Sequence, residues 1–205
     1  MSAILIALLA LLAIVMRALR TVLALRVLRR FLRAVLALLI VAALSVGYFW
    51  LAPTPNSEPQ KIGVLRVHMA GGMLILGLMG VRFFVRMRTS HPLAATTGYP
   101  LLDRIAPITQ YGFYVLVLLM VATGYTTAIV AGLPAIIFGG SGDPLPPTFM
   151  MYPSWVAHGF LAALLVGFIA VHVLAAFYHQ FVRKDRLFRR MFFGRRAWNP
   201  SAPAE

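Results

Sequence analysis

Four long apolar runs, separated by short polar segments, dominate the hydrophobic pattern of the chain. Each run is close to or above the roughly 20 residues that a helix needs to cross the hydrocarbon core of a bilayer. The runs cover about residues 34–51, 62–85, 107–130 and 154–182. Because backbone inside lipid must satisfy its own hydrogen bonds, such runs are helices. The pattern predicts an all-α fold, a transmembrane four-helix bundle in which Pro107 lies in the first turn of the third helix.

An additional basic and apolar helical segment precedes the first run. Residues 3–16 are apolar but too short to span a membrane. They also do not fit a signal peptide, because no basic residue precedes them and no small-residue cleavage site follows them. The next residues include arginines on one helical face, at Arg26, Arg29, Arg30 and Arg33. Two interpretations stay open: an amphipathic helix lying on anionic membrane lipid, or the positive charge that flanks a span.

These patterns divide the chain into three parts. Residues 1–33 form the N-terminal apolar and then basic segment, residues 34–182 the transmembrane domain, and residues 183–205 a basic tail. Arginine is abundant in the first part, in the 82–104 loop and in the tail, whereas the other two loops carry one lysine and no arginine. The positive-inside rule therefore predicts that both termini are cytoplasmic, which agrees with an even number of spans.

Composition narrows the possible functions. The 205 residues are 61% hydrophobic and include no cysteine, which excludes cysteine-ligated iron–sulfur clusters, c-type haem attachment and thiolate catalysis. The net charge of +14 comes from arginines that flank the apolar runs. We therefore expect membrane lipid as a partner and no nucleic acid.

Four of the five histidines, all but His91, lie inside predicted spans. His158 and His172 are fourteen residues apart in the fourth run, almost four helical turns, so their side chains share a face. His68 opens the second run at the depth of His158. Ionisable groups inside a membrane are costly and usually functional, and two imidazoles from facing helices can bind one haem iron. The alternative is that they are interhelical hydrogen-bond partners.

Other residues near these histidines have two interpretations each. Gly71 and Gly72 leave space beside His68 for a flat macrocycle, or they allow close helix packing. Lys61, Arg66 and Arg82 are candidates for haem propionate binding or for surface charge. Positive charge on the outer side could also attract an anionic donor such as superoxide.

At this point the chain resembles the bacterial cytochrome b561 family of four-helix membrane cytochromes. The resemblance covers residues 34–192 and is carried by HMAGGMLILGLMGVR at 68–82, VATGYTTAI at 121–129, IIFGG and DPLPP in the following loop, and HGFLAALLVGFIAVHVLAAFYHQFVRKDRLFRRM at 158–191. The resemblance implies a bacterial inner-membrane protein with haem b. It implies that His68 and His158 bind an outer haem and that His172 binds an inner haem. In the family, a quinone site lies where His179 matches.

The chain departs from the family pattern at one position. The family's first helix supplies a histidine to the inner haem, and here Arg33 stands in its place, with no histidine before His68. Three outcomes follow: the inner haem is absent, it is bound with another ligand such as Met16 or a residue from another chain, or it is five-coordinate at His172. The sequence therefore predicts one haem, with two as the alternative.

The favoured function is a b-type cytochrome that carries single electrons between the quinone pool, ubiquinone included, and a donor or acceptor on the outer side. One alternative is a haem-bearing relay or anchor subunit of a larger redox complex, docked through residues 1–33. Another is a non-redox membrane scaffold.

Overall fold

The structure is a computed structural model that describes residues 3–88 and 100–182, with side chains from Ala24 onward apart from a few positions. All regular elements in these ranges are helical. Helix α1 (Ala3–Val46) continues as a π-helical turn (Gly47–Leu51), and α2 covers Gln60–Met87. They are followed by α3 (Pro100–Val130), the short α4 (Leu133–Ile137), α5 (Pro153–Phe177) and a second π-helical turn (Tyr178–Val182).

Four stretches of these helices are long and apolar enough to cross a membrane. They are Val27–Leu51, Gln60–Met87, Tyr111–Val130 and Pro153–Val182. Many of their large apolar side chains are exposed, as surface that faces lipid requires; Leu38 is 72% exposed and Val67 is 67% exposed. The predicted all-α class with four membrane-spanning helices is confirmed.

Two helix boundaries differ from the prediction. The first span begins at Val27 and passes through Arg33 inside the unbroken α1. Helix α3 begins at Pro100, so the first-turn proline is Pro100 and the assignment of this role to Pro107 is wrong. The rule that proline suits a first turn holds, because its missing N–H would have no partner there. It does not by itself decide between two prolines seven residues apart.

The segments 52–59 and 132–152, here called the cap, close one end of the spans and include α4. Polar contacts tie the cap to α2 and to itself. The Asn56 side chain donates from Nδ2 to the Pro146 carbonyl at 2.6 Å, and Arg66 donates from Nε to the Ile137 carbonyl at 2.9 Å. The buried Lys61 donates from Nζ to the Thr54 carbonyl. These bonds satisfy cap carbonyls that no helix pairs.

An apolar cluster lies beneath the cap and joins it to the first three helices. Its buried members are Leu51, Leu65, Ala128, Ala131, Leu133, Ile137, Leu145 and Phe149. Gly132 connects α3 to α4 with a φ of 66°, a left-handed conformation that glycine adopts without steric cost. This turn directs α4 back against α2 and α3. The cap therefore covers the ends of these two helices.

The chain divides into two compact units, residues 1–162 and 163–205. The first unit contains α1 to α4, the cap and the first ten residues of α5. The described part of the second unit is the remainder of α5 and its π-helical turn, in which Leu165 is buried. The predicted tail at 183–205 lies outside the described residues.

Candidate functional site

Two histidines from different helices meet inside the first unit. The imidazole of His68, on α2, and that of His158, on α5, have ring centroids 6.3 Å apart and planes inclined by 79°. Both side chains are partly buried. The sequence predicts that His68 and His158 lie at the same depth in the membrane, and in the structure their rings lie next to each other.

A hydrogen bond fixes the protonation of His158. Its Nδ1 lies 3.0 Å from the Met120 carbonyl of α3, and a carbonyl only accepts, so Nδ1 carries the proton. The Thr123 hydroxyl lies 3.3 Å from the same nitrogen. In this tautomer Nε2 keeps its lone pair, which is the arrangement found in histidines that bind a metal through Nε2.

His68 has the opposite environment at its Nδ1. Among the residues that the structure describes, this is the one buried side-chain nitrogen or oxygen without a hydrogen-bond partner. Leaving a buried polar atom unsatisfied costs about 1–3 kcal/mol. The cost is unusual in a folded protein and indicates that His68 has a role other than packing.

Two glycines allow the neighbouring helices to approach the imidazoles. A Cβ at Gly124 of α3 would lie 2.9 Å from Cε1 and 3.1 Å from Nδ1 of His158, which is too close for any side chain. A Cβ at Gly47 would lie 3.8 Å from Cε1 of His68, in ordinary contact. The absence of a side chain at Gly124 is therefore required by the position of the His158 ring.

The start of α5 is anchored by contacts of the helical turn that precedes His158. Trp155 stacks parallel to the imidazole with centroids 6.4 Å apart, and Phe149 of the cap packs against Trp155 at 5.1 Å. The buried Thr127 donates its hydroxyl to Ser154 Oγ at 2.8 Å, which links α3 to α5 one turn before His158. These contacts hold the ring in one orientation.

The two histidines fit a haem iron better than they fit a bare metal ion. Imidazoles that bind one metal from opposite sides at about 2 Å each have ring centres about 6 Å apart, and the observed separation is 6.3 Å. Within the described ranges no group of three or more histidine, cysteine or acidic side chains could hold a metal ion. Two imidazoles alone suit iron whose other ligands come from a macrocycle.

Gly71 and Gly72 follow His68 on α2, and a Cβ at either position would meet no atom within 4 Å. No neighbouring helix therefore requires glycine there, which removes the close-packing interpretation for this pair. The interpretation in which Gly72 leaves space beside His68 is compatible with the structure.

Lys61 and Arg66 both serve the cap. Lys61 is only 5% exposed and places Nζ 5.9 Å from the centroid of Phe149, so the surface-charge role predicted for Lys61 is wrong. Its burial follows from its bond to the Thr54 carbonyl. Arg66 is exposed and bound through Nε to the cap, so it remains a candidate for a surface charge role.

The structure does not bring Arg82 to the histidine pair. Arg82 follows His68 by fourteen residues of α2, about 21 Å of helical rise. Its Nε donates to the Tyr114 hydroxyl at 2.9 Å, and its guanidinium carbon lies 5.4 Å from the centroid of that ring. The charge of Arg82 also acts on Arg33 of α1, so positive charges gather at this end of the described helices.

The remaining histidines are described only in part. His172 belongs to α5 in the second unit, and its side chain is exposed. His179 lies in the π-helical turn Tyr178–Val182, and its side chain is outside the described residues. His91, interpreted from the sequence as a loop residue, lies outside them altogether.

Sequence reasoning missed Met120, Thr123 and Trp155, which contact His158 directly. Met120 and Thr123 lie on α3, so only the depth of α3 relative to His158 could have identified them, and a sequence alone does not give that depth. Trp155 precedes His158 by three residues on α5, a spacing that makes two side chains neighbours on a helix and could have identified it.

Comparisons with known proteins agree on one family. A family model described as prokaryotic cytochrome b561 matches residues 26–194. A probable superoxide oxidase CybB from Yersinia pestis is 27% identical over 164 residues, which cover 77% of this chain and 88% of that protein. A cytochrome b562 from Cereibacter sphaeroides is 30% identical over 138 residues, 66% of this chain and 72% of that protein. No solved structure matches at the same level of significance.

Replacement of Gly124 by alanine is expected to weaken haem retention. The new Cβ would displace the His158 ring and break its bond to the Met120 carbonyl, and loss of such a supporting bond lowers metal affinity by about tenfold or more. The haem-to-protein ratio of the purified variant measures this. Gly77→Ala is the matched control, because a Cβ there meets no atom within 4 Å. A Gly124→Ala protein with full haem content would contradict the expectation that His158 binds haem.

Proposed function

The chain belongs to the prokaryotic cytochrome b561 family and is a membrane b-type cytochrome, and on this basis we propose that it carries single electrons between ubiquinone and a donor on the outer side of the bacterial inner membrane. The observation that carries the proposal is the pair of imidazoles with centroids 6.3 Å apart inside the spanning part of the chain.

We assign His68 and His158 as the axial ligands of one haem b. His158 is oriented for this role by the Met120 carbonyl, which leaves its Nε2 lone pair available. Held by these two imidazoles, a haem would supply one-electron transfer rather than oxygen activation.

We propose that the inner haem of the family is absent. Arg33 occupies the first-helix ligand position, and a guanidinium has only N–H donors and no lone pair for iron. The charge of Arg82 acts on the same position, which is therefore basic. His179, which matches the family's quinone site, follows His158 by 21 residues. With a single haem held by His68 and His158, no second haem would carry electrons toward His179. We accordingly place the exchange with ubiquinone in the leaflet nearer the cap.

Superoxide is the donor that we favour. The Yersinia pestis relative is named a probable superoxide oxidase, and superoxide is a one-electron donor that carries a negative charge. The exposed Arg66 lies at the cap end, two residues before the ligand His68, where its charge favours the approach of an anion. The positive-inside rule places this end outside the cytoplasm, and both termini inside.

The purified protein is expected to contain one haem per chain. The Soret band and the reduced-minus-oxidised spectrum should disappear in His68→Ala and in His158→Ala, because each removes an axial ligand. His172→Ala is the matched control from the same helix and should keep both. A ratio of two that His172→Ala reduces to one would show that the inner haem is present.

Single cysteines report the orientation, because the native chain has none. We expect Ser57→Cys, in the cap, to react with a membrane-impermeant maleimide in intact spheroplasts. Ser90→Cys, in the arginine-rich loop, should react only after the membrane is permeabilised. The reverse pattern would place the cap in the cytoplasm and would overturn an outer donor.

Electron transfer itself is tested in proteoliposomes that contain ubiquinone. Two superoxide ions each lose one electron and leave as dioxygen, and ubiquinone takes up two electrons and two protons. We expect ubiquinol to form with wild-type protein and not with the His158→Ala variant. A haem that superoxide does not reduce would exclude this donor and leave the family assignment in place.

A further inference from the structure

We propose that Thr123 is a positioning residue that lowers the reduction potential of the haem, acting through the imidazole of His158. The inference rests on the proposed function, since it requires His158 to be an axial ligand. It assigns to α3, which supplies no ligand, the task of setting how readily the haem accepts an electron.

The proton on His158 Nδ1 is shared between two acceptors. The Met120 carbonyl lies 3.0 Å from this nitrogen and the Thr123 hydroxyl oxygen lies 3.3 Å from it. The hydroxyl proton of Thr123 points to the backbone of α3, since Oγ1 donates to the Leu119 carbonyl at 2.8 Å and lies 3.1 Å from the Met120 carbonyl. Thr123 Oγ1 is therefore free to accept from Nδ1–H, and the bond to Leu119 increases its strength as an acceptor.

Two acceptors on one N–H draw the proton away from the ring and give the imidazole more anionic character. A more anionic ligand donates more charge to iron and stabilises the ferric state relative to the ferrous state, which lowers the reduction potential. The surroundings strengthen the effect, because hydrogen bonds are electrostatically stronger away from water.

His68 lacks this support, so the two ligands are unequal. Within the described part of the chain, His68 Nδ1 has no hydrogen-bond partner. Tuning through a ligand N–H consequently falls on His158 and its neighbours in α3. Met120 acts through its backbone carbonyl, which a change of side chain does not remove, whereas Thr123 acts through its side chain. Thr123 is thus the contact that a substitution can remove selectively.

The adjacent Gly124 explains why the threonine is close enough to act. A Cβ at Gly124 would overlap the His158 ring, so glycine at this position lets α3 approach the imidazole. The preceding Thr123 then presents its hydroxyl to Nδ1. The two neighbouring residues have complementary effects, one giving space and the other an acceptor.

The test is a redox titration of the haem spectrum in Thr123→Val, which keeps the side-chain shape and removes the acceptor. We expect a higher midpoint potential, seen as a roughly twofold to tenfold increase in the ratio of reduced to oxidised haem at a fixed applied potential. Thr123→Ser retains the hydroxyl and should restore the wild-type potential.

Thr126→Val is the matched control. Thr126 also donates its hydroxyl to a backbone carbonyl four residues earlier, Ala122 at 2.9 Å, but its side chain is exposed and bonds to no imidazole. Its substitution should leave the potential unchanged, which separates the effect on His158 from a general effect of removing a hydroxyl from α3.

The outcomes are distinct. A Thr123→Val protein that binds full haem at the wild-type potential would overturn the inference and leave the axial ligands intact. A wild-type protein without haem would instead overturn the proposed function. If Thr123→Val does not retain haem, the titration of Thr123→Ala decides: a raised potential supports the inference, and a wild-type potential contradicts it.

Discussion

The placement of two imidazoles within one membrane-spanning region is the constraint on which the rest of this structure depends. Ionisable side chains are expensive in hydrocarbon, and the rings of His68 and His158 lie 6.3 Å apart there. The surrounding helices are arranged to permit this. Gly124 and Gly47 give the rings room, the Met120 carbonyl takes one proton, and Trp155 fixes the ring plane at His158.

The cap covers the end of the spans nearest the histidines, and its backbone carbonyls there need hydrogen-bond donors. Side chains of α2 do much of this work: Arg66 bonds to the Ile137 carbonyl and Lys61 to the Thr54 carbonyl. Phe149 connects the cap to Trp155 and so to His158. The orientation of the His158 imidazole therefore depends on the cap, and a change in the position of Phe149 would alter the packing of Trp155 against this ring.

The two ends of the spans have different chemistry. At the cap end, the charged side chains of α2 are bonded to backbone carbonyls close to the histidine pair. At the other end, Arg82 packs on Tyr114, and its charge reaches Arg33 on α1. An end lined by guanidinium groups suits contact with anionic lipid more than it suits iron ligation. Arg33 and Arg82 together thus give this end of the described helices a positive charge.

Much of this could be predicted from the sequence because it depends on local patterns. Run length and apolar content determined the four spans, and helical periodicity with depth counting brought His68 and His158 to one level. Helix starts were less certain, since the proline rule fits both Pro100 and Pro107. Gly72 and Gly124 both lie in motifs that the sequence pointed to, but of the two only Gly124 lies against an imidazole ring, because motif position does not measure interhelical distance.

Only the tertiary structure decided the contacts between helices. The burial of Lys61 and the acceptors on His158 depend on how neighbouring helices and loops are placed relative to α2 and α5. A transmembrane helix is apolar on nearly all sides, so its sequence carries little information about which face meets which neighbour. The sequence by itself therefore determined which residues could bind haem, and the packing decided how those residues are held.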